Sequence, residues 1–321
     1  MQGVVVKLDR GFPLVLLPNG DEVRCEHAVA LVKNKEHRAV IGDKVEIELP
    51  SGHDKGRIID VLPRRTSFVR KDPTERALPQ TLAANFDMVL VAQPLDQINT
   101  RRLERELVLA HETGAEVVVV LTKADLLASE DEVSSVLAEI EGFVGDDRVL
   151  VLSGDDQASA EPVADLIAEG NKTAILIGRS GVGKSTLVNM LVGSEIQKTT
   201  EVREDGKGRH TTVSREIIPL PKGGYIVDMP GVRGLGLWDA DEGIGAAFSD
   251  VEELAEQCRF RDCSHINEPG CAVRAAVESG DLAETRLESY LRLKDEMAQM
   301  LKRRTEAERI RTRRGHPRRR R

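Results

Sequence analysis

The stretch "GRSGVGKST" at 178–186 constrains the fold of this chain more than any other feature. It begins with the pattern G-x-x-x-x-G-K-[ST], in which glycines let the backbone curl so that successive N–H groups face phosphate oxygens. The apolar run "AILI" precedes it and predicts a strand, and "STLVNMLVG" continues from it as a predicted helix. This order predicts a phosphate-binding loop in an α/β domain. The alternative is a glycine-rich turn with an incidental Lys-Ser pair.

Each part of the loop has an expected role. Lys184 is predicted to reach the β- and γ-phosphates and to act in catalysis, and the Ser185 hydroxyl is predicted to ligate Mg²⁺. The N-terminus of the helix adds a partial positive charge. The predicted nucleotide-binding residues of the loop are Gly178, Arg179, Ser180, Gly181, Val182, Gly183, Lys184, Ser185 and Thr186.

The stretch "TKAD" at 122–125 is a candidate for reading the base. It ends the apolar run "VVVVLT" and so lies at the carboxyl edge of a predicted strand, where α/β sheets bind ligands. The Asp125 carboxylate can accept hydrogen bonds from N1–H and the exocyclic amine of guanine, whereas adenine would leave it unpaired. The motif therefore predicts guanine, with Lys123 packing along the base and Ala124 also among the predicted nucleotide-binding residues.

Two further positions concern the base. GTPases usually have Asn where this chain has Thr122, and a hydroxyl is shorter than an amide. We therefore expect weaker contacts from Thr122 to the base and to the phosphate loop. Ser153, at the end of "VLVLS", fits a short loop that closes over the guanine carbonyl.

The stretch "DMPG" at 228–231 ends the apolar run "YIVDM". Asp228 is predicted to hold Mg²⁺, and the N–H of Gly231 to meet the γ-phosphate. The polar stretch 203–217 suits a loop ordered by that phosphate, with Thr211 or Thr212 as a further Mg²⁺ ligand. Sequence position does not separate these two threonines.

The residue after Gly231 is Val232, which cannot hydrogen-bond to water, whereas small GTPases place a water-orienting Gln there. We therefore expect slow unassisted hydrolysis. His210 is the candidate for orienting the attacking water, and the alternative is an ordinary surface histidine.

The order of these motifs is reversed relative to an ordinary GTPase, in which the phosphate loop precedes the base-reading motif. Loops at one edge of a parallel sheet can form the same site in any chain order. The sequence therefore predicts a circular permutation that joins the nucleotide-sensing loops to the region after 235. We expect loss of the γ-phosphate to be transmitted there as a domain movement.

The rest of the chain predicts a multidomain protein of three parts. Five short strands within 4–62 favour an all-β barrel of the oligonucleotide-binding (OB) type, and 63–80 is interpreted as a linker. Buried apolar runs alternate with helices up to "YIVDM", which is typical of a doubly wound sheet. The region after about 233 has helical periodicity. The predicted domains are 1–65, an OB-fold RNA-binding domain; 66–235, a circularly permuted GTPase domain; and 236–321, a zinc-binding helical domain with a basic tail.

The stretch "CRFRDCSHINEPGC" clusters three of the four cysteines of the chain. Cys258, Cys263, His265 and Cys271 form a closed set of four zinc ligands, which predicts one structural Zn²⁺. Unrelated or redox-active thiols are the alternatives. Cys25 is expected to be a small core residue.

Charge is unevenly distributed along the chain. The overall formal charge is −8, but residues 302–321 carry eleven Lys or Arg and two Glu, so the remainder carries −17. A basic tail on an acidic body suggests a polyanionic partner or a solvated end. No apolar run is long enough to span a membrane, and we expect a cytoplasmic protein without a secretory signal.

The stretches "LAANFD", "GRSGVGKST", "GRHTT", "DMPGVR" and "CRFRDCSHINEPGC" together resemble the circularly permuted GTPases that mature the bacterial small ribosomal subunit. The resemblance covers the whole chain. It implies an enzyme that converts GTP and water to GDP and phosphate with Mg²⁺, slowly alone and faster on the small subunit. It also implies ribosomal RNA contacts by "KNKEHR" (33–38), the arginines at 64, 65 and 70, and the basic tail.

We expect a monomer whose partners are GTP or GDP and the small ribosomal subunit with its rRNA, and no membrane. A rival hypothesis is a nucleotide-gated RNA-binding protein in which GTP turnover is incidental. A second rival is an ATPase of unrelated role, against which Asp125 argues.

Overall fold

The structure is a computed structural model, and it describes residues 1–9, 12–33, 38–50, 55–71, 79–144, 147–193, 215–228 and 240–315. Most of the polar stretch "KNKEHR" and the last six residues of the basic tail lie outside the described residues. All statements below concern the described part of the chain.

The N-terminal segment folds into a five-stranded barrel. Its elements are β1 (Gln2–Asp9), β2 (Phe12–Leu16), β3 (Glu22–His27), α1 (Val29–Lys33), β4 (Lys44–Glu48) and β5 (Gly56–Val61). The strands pair in the order β1–β2–β3–β5–β4 and β4 returns to β1, which closes the barrel. Alternate residues point inward, among them the fully buried Val5, Val15 and Ile58. The predicted OB-type barrel is confirmed.

The segment interpreted as a linker is in part a β-hairpin, so that interpretation is wrong. Strands β6 (Ser67–Lys71) and β7 (Pro79–Ala84) pair antiparallel. Arg64 just before it forms a bidentate pair with the buried Asp43, at 2.8 Å from both carboxylate oxygens. Arg65 contacts Asp87, and Arg70 is buried beside β7. Arg64 therefore joins the barrel to the hairpin, and Arg70 pairs within the hairpin.

The central domain is a mainly parallel sheet with helices on both faces. Its elements are β8 (Met88–Pro94), α2 (Thr100–His111), β9 (Glu116–Thr122), α3 (Glu130–Val144), β10 (Arg148–Val151), α4 (Glu161–Ala168), β11 (Thr173–Ile177), α5 (Lys184–Val192), β12 (Arg215–Pro219) and β13 (Tyr225–Asp228). The strand order is β10–β9–β8–β11–β13–β12, and β12 runs antiparallel. The predicted α/β domain is confirmed.

The barrel and the central sheet share an edge. Strand β1 pairs antiparallel with β12 through Lys7 opposite Glu216 and Leu8 opposite Arg215. The Lys7 ammonium also lies 2.6 Å from the Glu216 carboxylate. Because of this pairing, the strand that follows the predicted switch loop is hydrogen-bonded directly to the barrel.

The C-terminal region is helical, as predicted. It contains α6 (Asp241–Ala247), α7 (Ser249–Ala255), α8 (Ala272–Ser279) and α9 (Glu284–Gly315). These helices share one hydrophobic core with α2 and the adjacent sheet face, which includes Leu103, Ile244 and Leu293. At Gly243 of α6 an added Cβ would lie 2.2 Å from the carbonyl oxygen of Val108 on α2, so only glycine fits this close backbone approach. No helix within the described ranges is both long and apolar enough to cross a membrane.

Candidate nucleotide site and metal centre

The predicted phosphate loop connects β11 to α5 and has the backbone that its glycines allow. Gly178, Gly181 and Gly183 have φ values of +138°, +83° and +95°. A Cβ on Gly178 would lie 2.5 Å from the main-chain oxygen of Ala92 on the neighbouring strand. The loop is therefore both left-handed and pressed against the end of β8, which explains why glycine is required at 178.

Lys184 begins α5 and folds back over the loop. Its ammonium donates hydrogen bonds to the carbonyl oxygens of Gly178 at 2.8 Å and Arg179 at 2.7 Å. Ser185 and Thr186 follow in the first turn of α5 and are partly buried, and Arg179 and Ser180 are exposed. The structure thus brings the predicted residues of 178–186 into one turn around the N-terminus of a helix.

Thr122 connects the predicted base-reading turn to the phosphate loop. Its side chain is almost fully buried at the end of β9, with its hydroxyl in hydrogen-bonding contact with the carbonyl oxygen of Val182 and 3.2 Å from that of Gln93. A Cβ on Gly183 would lie 3.2 Å from the Thr122 Cβ, so strand and loop are in close contact. The short hydroxyl therefore reaches the phosphate loop in spite of its size.

The other residues of the base-reading motif form a tight turn at the same sheet edge. Lys123 has a left-handed backbone (φ +63°), and the N–H of Ala124 donates to the carbonyl of Leu152 at 3.1 Å. One oxygen of the exposed Asp125 carboxylate accepts a hydrogen bond from the N–H of Gly154 at 2.6 Å. Ser153 precedes that glycine, and its hydroxyl donates to Asp155. The turn and the 153–155 loop are thus held together.

The predicted switch residues are only partly described. Asp228 ends β13, beside the strand that carries the phosphate loop, and its side chain is outside the described set. His210, Thr211, Thr212, Gly231 and Val232 all lie outside the described residues. Their roles remain predictions.

Sequence reasoning missed a buried polar network beside the phosphate loop. Glu106 on α2 is fully buried; its carboxylate accepts hydrogen bonds from Gln93 at 2.5 Å and from Arg102 at 2.9 Å. Burial raises the pKa of the Glu106 carboxyl, and the charge of Arg102 opposes that rise, as does the more distant charge of Lys184. In the sequence, the polar Gln93 directly after the apolar run "MVLVA" could have indicated a polar contact at this edge of the sheet.

The four predicted zinc ligands converge at the C-terminal region. The ligand atoms of Cys258, Cys263, His265 and Cys271 all lie within 4.8 Å of one another. His265 Nδ1 lies 3.6 Å from Cys258 Sγ and 3.4 Å from Cys271 Sγ, and the latter two sulfurs are 3.9 Å apart. A tetrahedral zinc ion separates such atoms by roughly 3.5–3.8 Å. The donor set and its spacing therefore fit a closed structural site.

Main-chain N–H groups support this cluster. The N–H of Ala272 lies 3.3 Å from Cys258 Sγ, and the N–H of Arg274 lies 3.4 Å from Cys271 Sγ. Cys271 thereby also caps the N-terminus of α8. Such donors stabilise negatively charged thiolates, which is the form that binds zinc.

Fold and site together define a class. The predicted base-reading turn follows β9 and the predicted phosphate loop follows β11. The base motif thus comes first in the chain, yet both segments lie at the carboxyl edge of one sheet, on either side of β8. This is a circularly permuted P-loop GTPase, an enzyme that hydrolyses GTP. The sequence profile described as RsgA GTPase matches residues 61–238, and the chain belongs to that family.

Relatives and solved structures agree with this assignment. A protein of Streptomyces avermitilis named "Small ribosomal subunit biogenesis GTPase RsgA" is 42% identical over 295 residues, which are 91% of this chain and 78% of the relative. A protein of the same name from Xanthomonas euvesicatoria is 44% identical over 263 residues, covering 81% of this chain and 70% of the relative.

Two solved structures share the fold. The crystal structure of YjeQ from Thermotoga maritima has a TM-score of 0.66 and 27% identity, and the match covers 91% of this chain and 96% of that one. YloQ, described as a circularly permuted GTPase, has a TM-score of 0.67 at 24% identity, with 94% and 95% coverage. The second likeness concerns the fold alone.

Proposed function

We propose that this chain is a Mg²⁺-dependent GTPase that binds the small ribosomal subunit and assists its late maturation. The observation that supports the proposal is the contact of Thr122 with Val182, which joins the turn 122–125 to the loop 178–186 at one sheet edge. The names of the relatives supply the ribosomal role.

In the proposed complex, Asp125 and the turn 122–125 read guanine, and Ser153 with Gly154 closes over the base. The loop 178–186 holds the phosphates, and Lys184 turns from its carbonyl partners to the β- and γ-phosphates. The 2.6 Å bond from Gly154 to Asp125 supports this assignment, because it fixes the carboxylate beside the loop that would cover the base.

Ser185, Asp228 and either Thr211 or Thr212 are the proposed ligands of Mg²⁺. The ion would neutralise charge on the transferring phosphate. Mg²⁺ prefers hard oxygen donors, such as the Ser185 hydroxyl at the start of α5 and the Asp228 carboxylate at the end of β13. These two elements adjoin because β11, which leads into the phosphate loop, pairs with β13. Since Val232 cannot orient water, we retain His210 as the proposed water-orienting residue, and Gly231 as a γ-phosphate contact.

One Zn²⁺ held by Cys258, Cys263, His265 and Cys271 is proposed as a structural ion. Its closed four-ligand set leaves no position for a substrate.

The ribosomal partner is proposed to contact the barrel and the basic residues that begin at Lys302, in the second half of α9. Such phosphate contacts would weaken as salt rises. Arg64 and Arg70 are excluded from this surface because the protein itself buries or pairs them. We retain 1–65, 66–235 and 236–321 as the proposed domains of a cytoplasmic monomer.

The test is GTP turnover with and without small ribosomal subunits, for the wild type and for Lys184→Ala. Lys172→Ala is the matched control. Lys172 lies just before β11, at the end of that strand opposite to the phosphate loop, and its ammonium pairs with Glu116. We expect stimulation by subunits in the wild type and the control, and loss of turnover in Lys184→Ala. Absence of stimulation would favour a nucleotide-gated RNA-binding protein, and tighter binding of ATP than GTP would overturn the guanine assignment.

A further inference from the structure

Helix α2 carries two buried carboxylates on opposite sides. Glu104 and Glu106 are 1% and 0% exposed. Residues two apart on an α-helix are separated by about 200° around its axis, so their side chains leave in nearly opposite directions. One carboxylate faces the nucleotide edge of the sheet, and the other faces the C-terminal helices.

The Glu106 side reaches the phosphate loop through Gln93. The side-chain amide of Gln93 donates to Glu106, and its main-chain oxygen lies 3.2 Å from the hydroxyl of Thr122. Thr122 in turn contacts Val182 of the phosphate loop, and the neighbouring Ala92 abuts Gly178. The last residues of β8 therefore form a seat for the loop, and α2 holds that seat.

The Glu104 side reaches α9. One oxygen of Glu104 lies 4.0 Å from the guanidinium of Arg286, and the other lies 3.4 Å from that of Arg292. Arg286 is itself held in place: it pairs with both oxygens of Asp250 at 3.0 Å and stacks over Phe248, with its guanidinium carbon 4.1 Å from the ring centre. The buried Arg286 guanidinium is thus held in one position by Asp250 and Phe248, and Glu104 of α2 packs beside it.

This position of Arg286 adjoins the zinc cluster. The Phe248 ring lies 5.7 Å from the ring of Tyr290, which lies 6.3 Å from the ring of the zinc-ligand candidate His265. About one turn after Glu104 on the same side of α2, the contact of Gly243 with Val108 leaves little space for the helix to shift. The position of α2 is therefore set from outside the central domain.

We propose that Arg286, in the C-terminal region, is a positioning residue for the nucleotide site. With Glu104 it fixes α2, and α2 fixes the seat of the phosphate loop through Glu106 and Gln93. The C-terminal helices are then a necessary part of the GTPase site. The inference rests on the proposed function of Lys184 and its loop.

The main test is Arg286→Met in the full chain, measured by single-turnover GTP hydrolysis, GDP affinity and thermal unfolding. We expect the hydrolysis rate to fall by about 10–100-fold, because small misplacements remote from the chemistry have effects of this size. GDP affinity is expected to fall less than the hydrolysis rate, because the proposed guanine contacts of Asp125 do not rest on Arg286.

A double variant separates positioning from stability. Arg286→Met removes one of the two guanidinium groups that face the buried Glu104 and is expected to lower the unfolding temperature, whereas adding Glu104→Gln neutralises that buried carboxylate. Asp250 loses Arg286 in both variants, but its side chain is 41% exposed and stays hydrated. We expect the double variant to regain thermal stability but to keep the slow hydrolysis. Recovery of both together would mean that Arg286 acts through stability alone and would overturn the proposal.

The matched control is Glu296→Gln, which breaks a more exposed ion pair with Arg105 between the same two helices. We expect wild-type hydrolysis from this variant. A wild-type rate in Arg286→Met refutes the inference, as does an equal loss in Glu296→Gln. If the wild type itself fails to hydrolyse GTP, or if Lys184→Ala hydrolyses it normally, the proposed function fails as well.

Discussion

The hydroxyl of Thr122 contacts the main-chain oxygen of Val182, sixty residues further along the chain. This contact joins the end of β9 to the phosphate loop across the end of β8. The Thr122 hydroxyl thus reaches the phosphate loop, a contact for which the longer amide of Asn would be expected at this position. We therefore expect nucleotide binding to depend on this buried hydrogen bond, which the order of the motifs does not reveal.

Thr122→Val tests this contact. The substitution keeps the shape of the side chain and leaves the Val182 carbonyl without its donor, which costs about 1–3 kcal/mol when the group is buried. We expect GTP and GDP affinities to fall roughly tenfold or more, measured by titration with a fluorescent nucleotide.

Thr113→Val is the control for that variant. The Thr113 hydroxyl is also buried and donates to a main-chain oxygen, that of Ala110 at 2.6 Å, but it lies at the other end of the sheet. It should lower stability without changing nucleotide affinity. Equal affinity losses in both variants would show that general destabilisation is responsible.

Asp125→Asn tests the reading of the base. The amide keeps an acceptor for the N–H of Gly154, so the turn keeps its shape. It cannot accept hydrogen bonds from both N1–H and the exocyclic amine of guanine. We expect GTP affinity to fall on the order of 100-fold, because a hydrogen bond to a charged group contributes about 1.5–3 kcal/mol.

Xanthosine triphosphate is expected to bind Asp125→Asn better than it binds the wild type. Xanthine has a carbonyl in place of the exocyclic amine of guanine, and this carbonyl can accept a hydrogen bond from the Asn side-chain amide. Asp155→Asn is the control, because this exposed neighbour contacts Ser153 and is not assigned to the base. If Asp125→Asn binds GTP as tightly as the wild type, Asp125 does not read guanine.

Much of this architecture follows from local patterns. Alternating apolar residues predicted the barrel strands, and continuous Val and Ile runs predicted the parallel sheet, because burial on one or both faces imposes those patterns. The hairpin β6–β7 was missed because "RRTSFVRK" and a proline-containing connection read as a polar linker. Phe68 and Leu82 of this hairpin are buried in the core by residues distant in sequence, which a short stretch of sequence does not show.

The buried network on α2 was missed for a related reason. Glu104 and Glu106 within a helix normally indicate a solvated face. Here α9 covers one side of the helix and the end of β8 covers the other. The partners that bury these side chains lie 13 to 188 residues away in the chain, so the pattern of the helix alone could not reveal the burial.

Cys263→Ser tests the metal centre. Purified wild type is expected to contain about one zinc per chain, and the variant to lose it together with thermal stability. His265 and Cys271 lie in or beside the core shared with α2, so loss of the ion would leave polar groups buried without a partner.

Cys25→Ser is the matched control for the metal content. Cys25 is buried in the barrel, where its thiol lies 3.5 Å from the Val23 carbonyl. The zinc content of this variant should equal that of the wild type. Full zinc content in Cys263→Ser would exclude that residue as a ligand.

We expect the stability of the barrel to depend on pH through His27. Burial, together with the charge of Arg38, lowers the pKa of His27 below its usual value of 6.5, and its Nε2 lies 3.1 Å from the main-chain nitrogen of Ala39, whose N–H it accepts. The unfolded chain therefore takes up a proton at a higher pH than the folded chain does. The stabilisation that the neutral His27 provides is complete above about pH 6.5 and is lost progressively as pH falls towards the folded-state pKa.

The measurement is urea unfolding of the wild type and of His27→Gln between pH 5 and 7.5, followed by hydrogen exchange in β4 and β5. The variant should lose less stability than the wild type at low pH. Parallel curves for the two proteins would show that another group is responsible.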